Sequence, residues 1–503
     1  MASLKKLAGQ TLWYGLSNIA AKLLFQLQTP LVTYLLNKPS GVTDYGNFSA
    51  LYSALSFMNV IFTYGMETAY FRFSAAGEDQ KKLFRTIFSS LLVSTALLSA
   101  VLIFFRAPLA KLSDLGDHPE YITWCVLILA FDTLAAIPFA RLRQEERPRK
   151  YAVVRIAGIV ANITAMVIFL ALSPGFVKEQ PGNAYSEWYV SNNNVGFLIM
   201  ANLIQSVITF LLLFGEWIDF RFAPDKALLK RAFIYSAPLI IAGLGGMINE
   251  TIDRQMLKHM YGTIAQGTTE VGIYSANYKI AIFITLFITA FRMSAEPFFF
   301  NQAKEKNAPG TYARVMKWFV IVLCCAFLST ALFLDGIKFF LGSTFRNERS
   351  LGVVPILLAA NVCLGIYYNL SVWYKLTDKM RMGMYITLVG AALTLICNTL
   401  FIPKYGMYAC AWTTFAAYFS MMVISYFLGQ KYFPVPYNMK KLLSYLGIML
   451  LLFFTQKLVG HFTESIIIRL GSATVLMVLF IGMIAGAEKE ELKGLPVVGK
   501  FIR

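Results

Sequence analysis

The residues in this sequence with the means to do chemistry are ionisable side chains set inside long apolar runs. Between Ser236 and Phe300 stand Glu250, Asp253, Arg254, Lys279, Arg292 and Glu296. The first half of the chain adds Lys22, Glu67, Asp132 and Arg155. A charge at the depth of a bilayer is costly unless it faces protein or water, so such groups mark a polar path. The cations Lys22, Arg254, Lys279, Arg292 and Arg155 suit an anionic cargo, lysine as a point charge and arginine as a bidentate fork. The acids Glu67, Asp132, Glu250, Asp253 and Glu296 would either couple movement to an H+ or Na+ gradient or pair with the cations. Glu250 and Arg254 lie one helical turn apart, as do Arg292 and Glu296, which makes self-contained ion pairs the plainer reading. Asp253 adjoins Arg254, Lys22 has Glu67 as an available partner, and Arg155 or Arg72 would serve Glu67 and Asp132.

The elements that hold these groups are membrane spans. Of 503 residues, 57% are hydrophobic and only 14% charged, with a mean hydropathy of +0.59. Soluble domains carry about 25% charged residues. The fold class is therefore an all-α polytopic membrane protein. A net charge of +18 in a soluble chain would point to nucleic acid. Here the cations flank alternate ends of apolar segments, which makes them a topology signal and leaves lipid, not nucleic acid, as the partner.

With a span of about 20 residues as the ruler, about fourteen segments qualify. They are 10–36, 45–71, 84–105, 120–140, 151–172, 195–215, 232–260, 271–300, 313–334, 351–374, 382–402, 407–429, 442–460 and 465–486. Lys5 and Lys6, then Arg141 to Lys150, Lys226 to Arg231, Lys375 to Arg381 and the tail beyond Glu488 gather cations on one side. The opposite side holds few, such as Lys38, Lys111, Lys178 and Lys258. Both termini are thus expected in the cytoplasm, and the first segment reads as a retained span, not a signal peptide. The loop Arg141–Lys150 reads mainly as lipid contact and topology, with recognition of an incoming anion as the lesser alternative. The longest outer loop, about 173–194, is too small for a catalytic domain.

An internal repeat sets the architecture. Asp44–Tyr52 reads DYGNFSALY and Glu270–Tyr278 reads EVGIYSANY. Each copy opens an even-numbered span on the outer side, so the repeat is parallel, about an axis along the membrane normal. Residues 1–229 then form an N-terminal lobe of six helices, 230–441 a second six-helix lobe, and 442–503 two extra helices and a cytoplasmic tail. The six cysteines lie in apolar segments without metal-ligand spacing, and the three histidines form no cluster. No P-loop is present. The sequence gives no reason to expect an enzyme, a metal or a cofactor.

The motifs LAGQTLWYGLSNIAAKLLFQLQTPLVTYLL, DYGNFSALYSALSF, RLRQEERPRKYA, YSAPLIIAGLGGMINETIDRQML, EVGIYSANYKIA and FIPKYGMYACAWTT occur in that order along the chain. In order and spacing they resemble the polysaccharide transporter family of the multidrug/oligosaccharidyl-lipid/polysaccharide flippase superfamily. The resemblance implies a flippase that moves undecaprenyl-pyrophosphate-linked oligosaccharide from the inner to the outer leaflet by alternating access. It further implies the bacterial inner membrane, surface polysaccharide such as the O-antigen of lipopolysaccharide, and a polymerase machinery as partner. Lipid II flippases also use cations in their first, second and eighth spans, and Lys22 and Arg292 lie in comparable spans here, so that alternative remains open. An ion-coupled exporter of small molecules is the other.

Overall fold

The computed structural model describes residues 23–493 apart from 25, 146, 219, 303–307 and 378, and the side chains of these apart from 293–297, 300, 301, 492 and 493. Every regular element among the described residues is helical. The main helices are α1 (Gln28–Leu35), α2 (Pro39–Thr63), α3 (Met66–Ala75), α4 (Gln80–Phe104), α5 (Pro119–Gln144), α6 (Pro148–Val167), α7 (Asn194–Leu212) and α8 (Lys226–Met260). They continue with α9 (Ile264–Ala281), α10 (Phe283–Gln302), α11 (Ala308–Ala331), α12 (Val353–Leu370), α13 (Met380–Tyr405), α14 (Met407–Tyr432), α15 (Met439–Phe462) and α16 (Ile466–Ala487).

Polar loop residues set the helix starts. Asp79, Asn193, Asp225 and Asn438 each accept a hydrogen bond from a backbone N–H in the first turn of α4, α7, α8 and α15. Such caps satisfy donors that a helix end leaves orphaned. α2, α5 and α6 instead begin on Pro39, Pro119 and Pro148, whose missing N–H costs nothing there.

Among the described residues eleven helices are long and apolar enough to cross a membrane, and the bent pair α9–α10, counted as one span, makes a twelfth. Two segments expected from the sequence stand outside that tally. The segment 10–36 lies mostly outside the described residues, and 45–71 is not one helix. Tyr64 (φ 31°) and Gly65 (φ 71°) are both left-handed and break it into α2 and α3. A further departure is the bend in the second-copy hairpin. The chain turns there by 49° at Ile282. The carbonyl of Ala281 at that break accepts from Asn361 Nδ2 at 3.2 Å, so the group freed by the bend is paired. The loop 173–194 folds as two short helices, Ser173–Glu179 and Ala184–Ser191.

The chain divides into two compact units. The first holds residues 1–276, 342–345 and 387–410, the second 277–341, 346–386 and 411–503. In the first unit Tyr70, Leu83, Ile87, Leu91 and Ile137 pack α3, α4 and α5 around one apolar core. In the second, Glu488 at the end of α16 accepts from Lys317 Nζ, Lys441 Nζ and Tyr445 Oη, which ties α16 to α11 and α15. Burial pushes that carboxyl up, but the donors from Lys317, Lys441 and Tyr445 outweigh it and hold the pKa down at about 2.

Candidate functional site

The second-copy hairpin buries its acid–base pair. Asp253 on α8 is 3% exposed; its Oδ1 accepts from Arg254 at 2.7 Å and its Oδ2 from Tyr274 Oη of α9 at 2.7 Å. The Arg254 guanidinium also donates to the Glu250 carbonyl and sits 5.3 Å from the Tyr274 ring centre. Burying an arginine needs a matched anion and satisfied N–H groups, and this arrangement supplies both. The Glu250 carboxylate takes no part in it. That side chain is exposed although it lies well inside α8, and it makes no ion pair or hydrogen bond among the described residues.

The other charges named from the sequence occupy separate places. In the first unit Asp132 on α5 is hydrogen-bonded to Ser206 on α7 and feels the charge of Arg155, whose guanidinium stacks 4.4 Å from the Phe139 ring. Glu67, expected to be buried, stands at the start of α3 with its side chain 42% exposed and is paired with Arg143. The break at Gly65 is the physical reason, because it ends α2 and starts a new helix close to the basic loop. In the second unit Arg292 lies 4.2 Å from the Tyr368 ring, and Lys279 is half-buried. Lys22 and the Glu296 side chain lie outside the described residues.

The basic loop is largely neutralised by acids. Arg141 pairs with Glu145 at 2.6 Å, while Arg147 and Lys150 both reach Glu216, at 3.0 and 2.5 Å. Glu216 is 2% exposed. Sequence reasoning passed it over because its partners lie about seventy residues away, beyond any local pattern.

One end of the first unit, here called the turn face, brings the two repeat copies together. It carries the start of α2, residues 113–116, the α8–α9 turn and residues 342–345. Thr43 and Thr269 stand at equivalent positions, 226 residues apart, and their hydroxyls meet at 3.0 Å. On either side the contact is reciprocal. A Cβ on Gly46 would meet the Thr268 carbonyl oxygen at 1.9 Å, and a Cβ on Gly272 would meet the Val42 oxygen at 2.2 Å. At the same spacing Val42 corresponds to Thr268 and Gly46 to Gly272, so each copy offers the other the same surface. That is the signature of a local two-fold, and glycine is required because backbone meets backbone. The sequence pattern at Asp44 and Glu270 was therefore marking a packing site.

Beside this crossing, Lys258 near the end of α8 is 2% exposed. Its ammonium donates to the Ser113 carbonyl at 2.8 Å and to Asn47 Oδ1 at 3.0 Å, and pairs with Asp114 Oδ2 at 2.9 Å. The sequence offered Lys258 only as one cation of an outer loop. Its partners are distant in the chain, and only the fold reveals them.

Chains of known structure share this helical arrangement. The lipid II flippase MurJ in an inward closed conformation matches with a TM-score of 0.70 at 15% identity, covering 94% of this chain and 99% of that one. A variant of the Vibrio cholerae MATE transporter VcmN matches with a TM-score of 0.57 at 15% identity, covering 86% and 98%. An inward-facing multidrug resistance MATE family transporter of the MOP superfamily gives 0.57 at 15% identity, covering 82% and 94%. At such identities the likeness establishes the fold. Among curated proteins no sequence match is found. The family described as "Polysaccharide biosynthesis protein" matches residues 7–302. That is more than half of the chain, and the protein belongs to this family.

Proposed function

We propose that the protein is a flippase carrying undecaprenyl-pyrophosphate-linked oligosaccharide from the inner to the outer leaflet of a bacterial inner membrane. The carrying observation is the family match over residues 7–302. In this reading both termini are cytoplasmic, the turn face is outside, and lobes 1–229 and 230–441 rock to expose a central path alternately. The reciprocal crossing at Gly46 and Gly272 supports it, because a shut outer face is one of the two states such a cycle needs. Lys22, Arg155, Arg254, Lys279 and Arg292 are the cations proposed to meet the pyrophosphate. Glu250, exposed within a span, is the carboxylate best placed to carry a proton or Na+. The oligosaccharide would pass to a polymerase machinery that builds O-antigen or a similar surface polysaccharide.

The test is leaflet-resolved extraction of lipid-linked sugars from cells lacking the gene. Intact oligosaccharide-lipid held on the inner leaflet is expected; accumulation of unpolymerised units outside would sink the reading. A second reading, a flippase for lipid II, is favoured by the fold match at a TM-score of 0.70 over 94% of the chain. Purified protein in vesicles separates the two: the first reading expects movement of the oligosaccharide-lipid and none of lipid II.

A further inference from the structure

We propose that Lys258 and Asp114 form an ionic latch that holds the turn face shut and must part for that face to open. The proposal rests on the alternating-access reading above, and names the contact that regulates it.

The latch joins the repeat copies. Lys258 belongs to α8, which opens the second copy, whereas Asn47 on α2 and the Ser113–Asp114 turn belong to the first. An ammonium has three protons, and here it has three acceptors within 3.0 Å. Its place in the last turn of α8 adds the favourable field of the helix C-terminus. Nothing about the lysine is left for another partner.

Its counterpart is built to let go. The Lys258 side chain is 3% exposed, but that of Asp114 is 32% exposed. A pair exposed on both sides would hold little, and one buried on both sides would not separate on a transport cycle. With one edge of the carboxylate already wet, water can enter as the lysine withdraws. Asp114 is also one of two non-glycine residues among those described with positive φ, at 58°. Backbone held in that region persists where its surroundings over-determine it, and it gathers at sites that switch. The neighbouring Leu115, 6% exposed, anchors the turn in an apolar core, so the turn is a fixed strike plate and α8 the moving part.

The arrangement admits a static reading, in which Lys258 merely fastens the end of a helix. An accessibility measurement separates the two. Ser275 lies on the face of α9 that also carries Thr268 and Gly272, is 6% exposed, and its hydroxyl has no hydrogen-bond partner among the described residues. Ser275→Cys is therefore a mild change that places a thiol behind the closed crossing. The full chain carrying it, in lipid nanodiscs, is reacted with a charged maleimide, and the parent without the reporter gives the background from the six native cysteines.

Lys258→Met and Asp114→Asn are each expected to speed labelling of Cys at 275 about 10-fold. A rate within about 2-fold of the parent in either single variant overturns the latch. If Lys258→Met does not fold, Asp114→Asn decides alone, because it leaves the bonds to Asn47 and Ser113 in place. The measurement uses no substrate. Failure here with intact oligosaccharide transport removes the latch and leaves the flippase reading; faster labelling without any transport of that cargo does the reverse.

Discussion

Two corners of the turn face do the same job with different chemistry. At one, the end of α8 docks on residues 113–114 through the Lys258 ammonium. At the other, the end of α1 docks on residues 342–344. There Thr33 Oγ1 accepts from the Gly342 N–H at 3.2 Å, and Asn37 Oδ1 accepts from the Thr344 N–H at 2.9 Å and from the Ser343 and Thr344 hydroxyls. The repeat relates the corners: Gly116 and Gly342 are equivalent, and Lys258 stands where the other copy has Val32. One corner is ionic and half wet; the other is neutral and rests on backbone contact, since a Cβ on Gly342 would meet the Thr33 oxygen at 2.2 Å. Neutral hydrogen bonds contribute about 1 kcal/mol each and answer weakly to salt or charge. Breaking an ion pair costs more, most of all where the charge left behind is buried, as the Lys258 ammonium would be without Asp114. A symmetric backbone thus carries an asymmetric lock, with the neutral corner as pivot and the ionic one as catch.

The largest effect is expected where the symmetry itself is broken. Gly46→Val and Gly272→Val each drive a side chain into a carbonyl of the opposite copy. Overpacking of this kind costs about 1–3 kcal/mol, and here the obstacle is backbone, so the upper end is expected. Thermal unfolding of the purified protein should show similar losses for both variants. A large loss at one glycine and none at the other would show that the crossing is not reciprocal.

This crossing also measures what the sequence made legible. The matched motifs at Asp44 and Glu270 revealed the repeat, and apolar run lengths revealed the spans, because both are local or periodic signals. The same local signals missed the break in the second span. Tyr64 adopts the left-handed conformation that glycine next to it accepts freely, and nothing in tyrosine announces that. They also drew attention to six of the eight charges between Ser236 and Phe300, while Lys258 was read only as an outer-loop cation and Glu216 was passed over. The Asp253–Arg254 pair is closed by Tyr274, and that role of an aromatic residue is set by helix packing, not by spacing. Lys258 and Glu216 find partners that only the fold brings near.

The next effect in size separates the corners. Lys258→Met strands Asp114, and Asn37→Ala removes a neutral acceptor shared by Ser343 and Thr344. Tm should fall in both, by more for Lys258→Met. Raising ionic strength should narrow the gap between Lys258→Met and the parent, since the half-wet pair is partly screened, and leave Asn37→Ala unchanged. Equal salt responses would erase the distinction between catch and pivot.

An ion pair away from the turn face serves as a control on that distinction. The Glu488 tie in the second unit should be static: Glu488→Gln is expected to loosen α15 and α16 towards protease without changing the labelling rate at position 275. Because the folded carboxyl is held at about 2, below its ordinary 4.5, its contribution is complete above about pH 4.5 and is lost as pH falls towards 2. Protease sensitivity of the α15–α16 hairpin that already changed between pH 8 and 6 would contradict that assignment.

The smallest effect lies on the local axis. Thr269 Oγ1 donates to the Ala265 carbonyl at 3.0 Å, so the proton between the two threonines comes from Thr43. Thr43→Val removes that donor and leaves an acceptor with a spare lone pair, a loss of about 0.5 kcal/mol. Thr269→Val instead strands the Thr43 proton beside an apolar group and should cost about 1 kcal/mol. The double variant replaces both partners by groups of the same shape, so its loss should be smaller than the sum of the two. If the losses add, the hydroxyls do not depend on each other, and the symmetry at this point rests on the glycines alone.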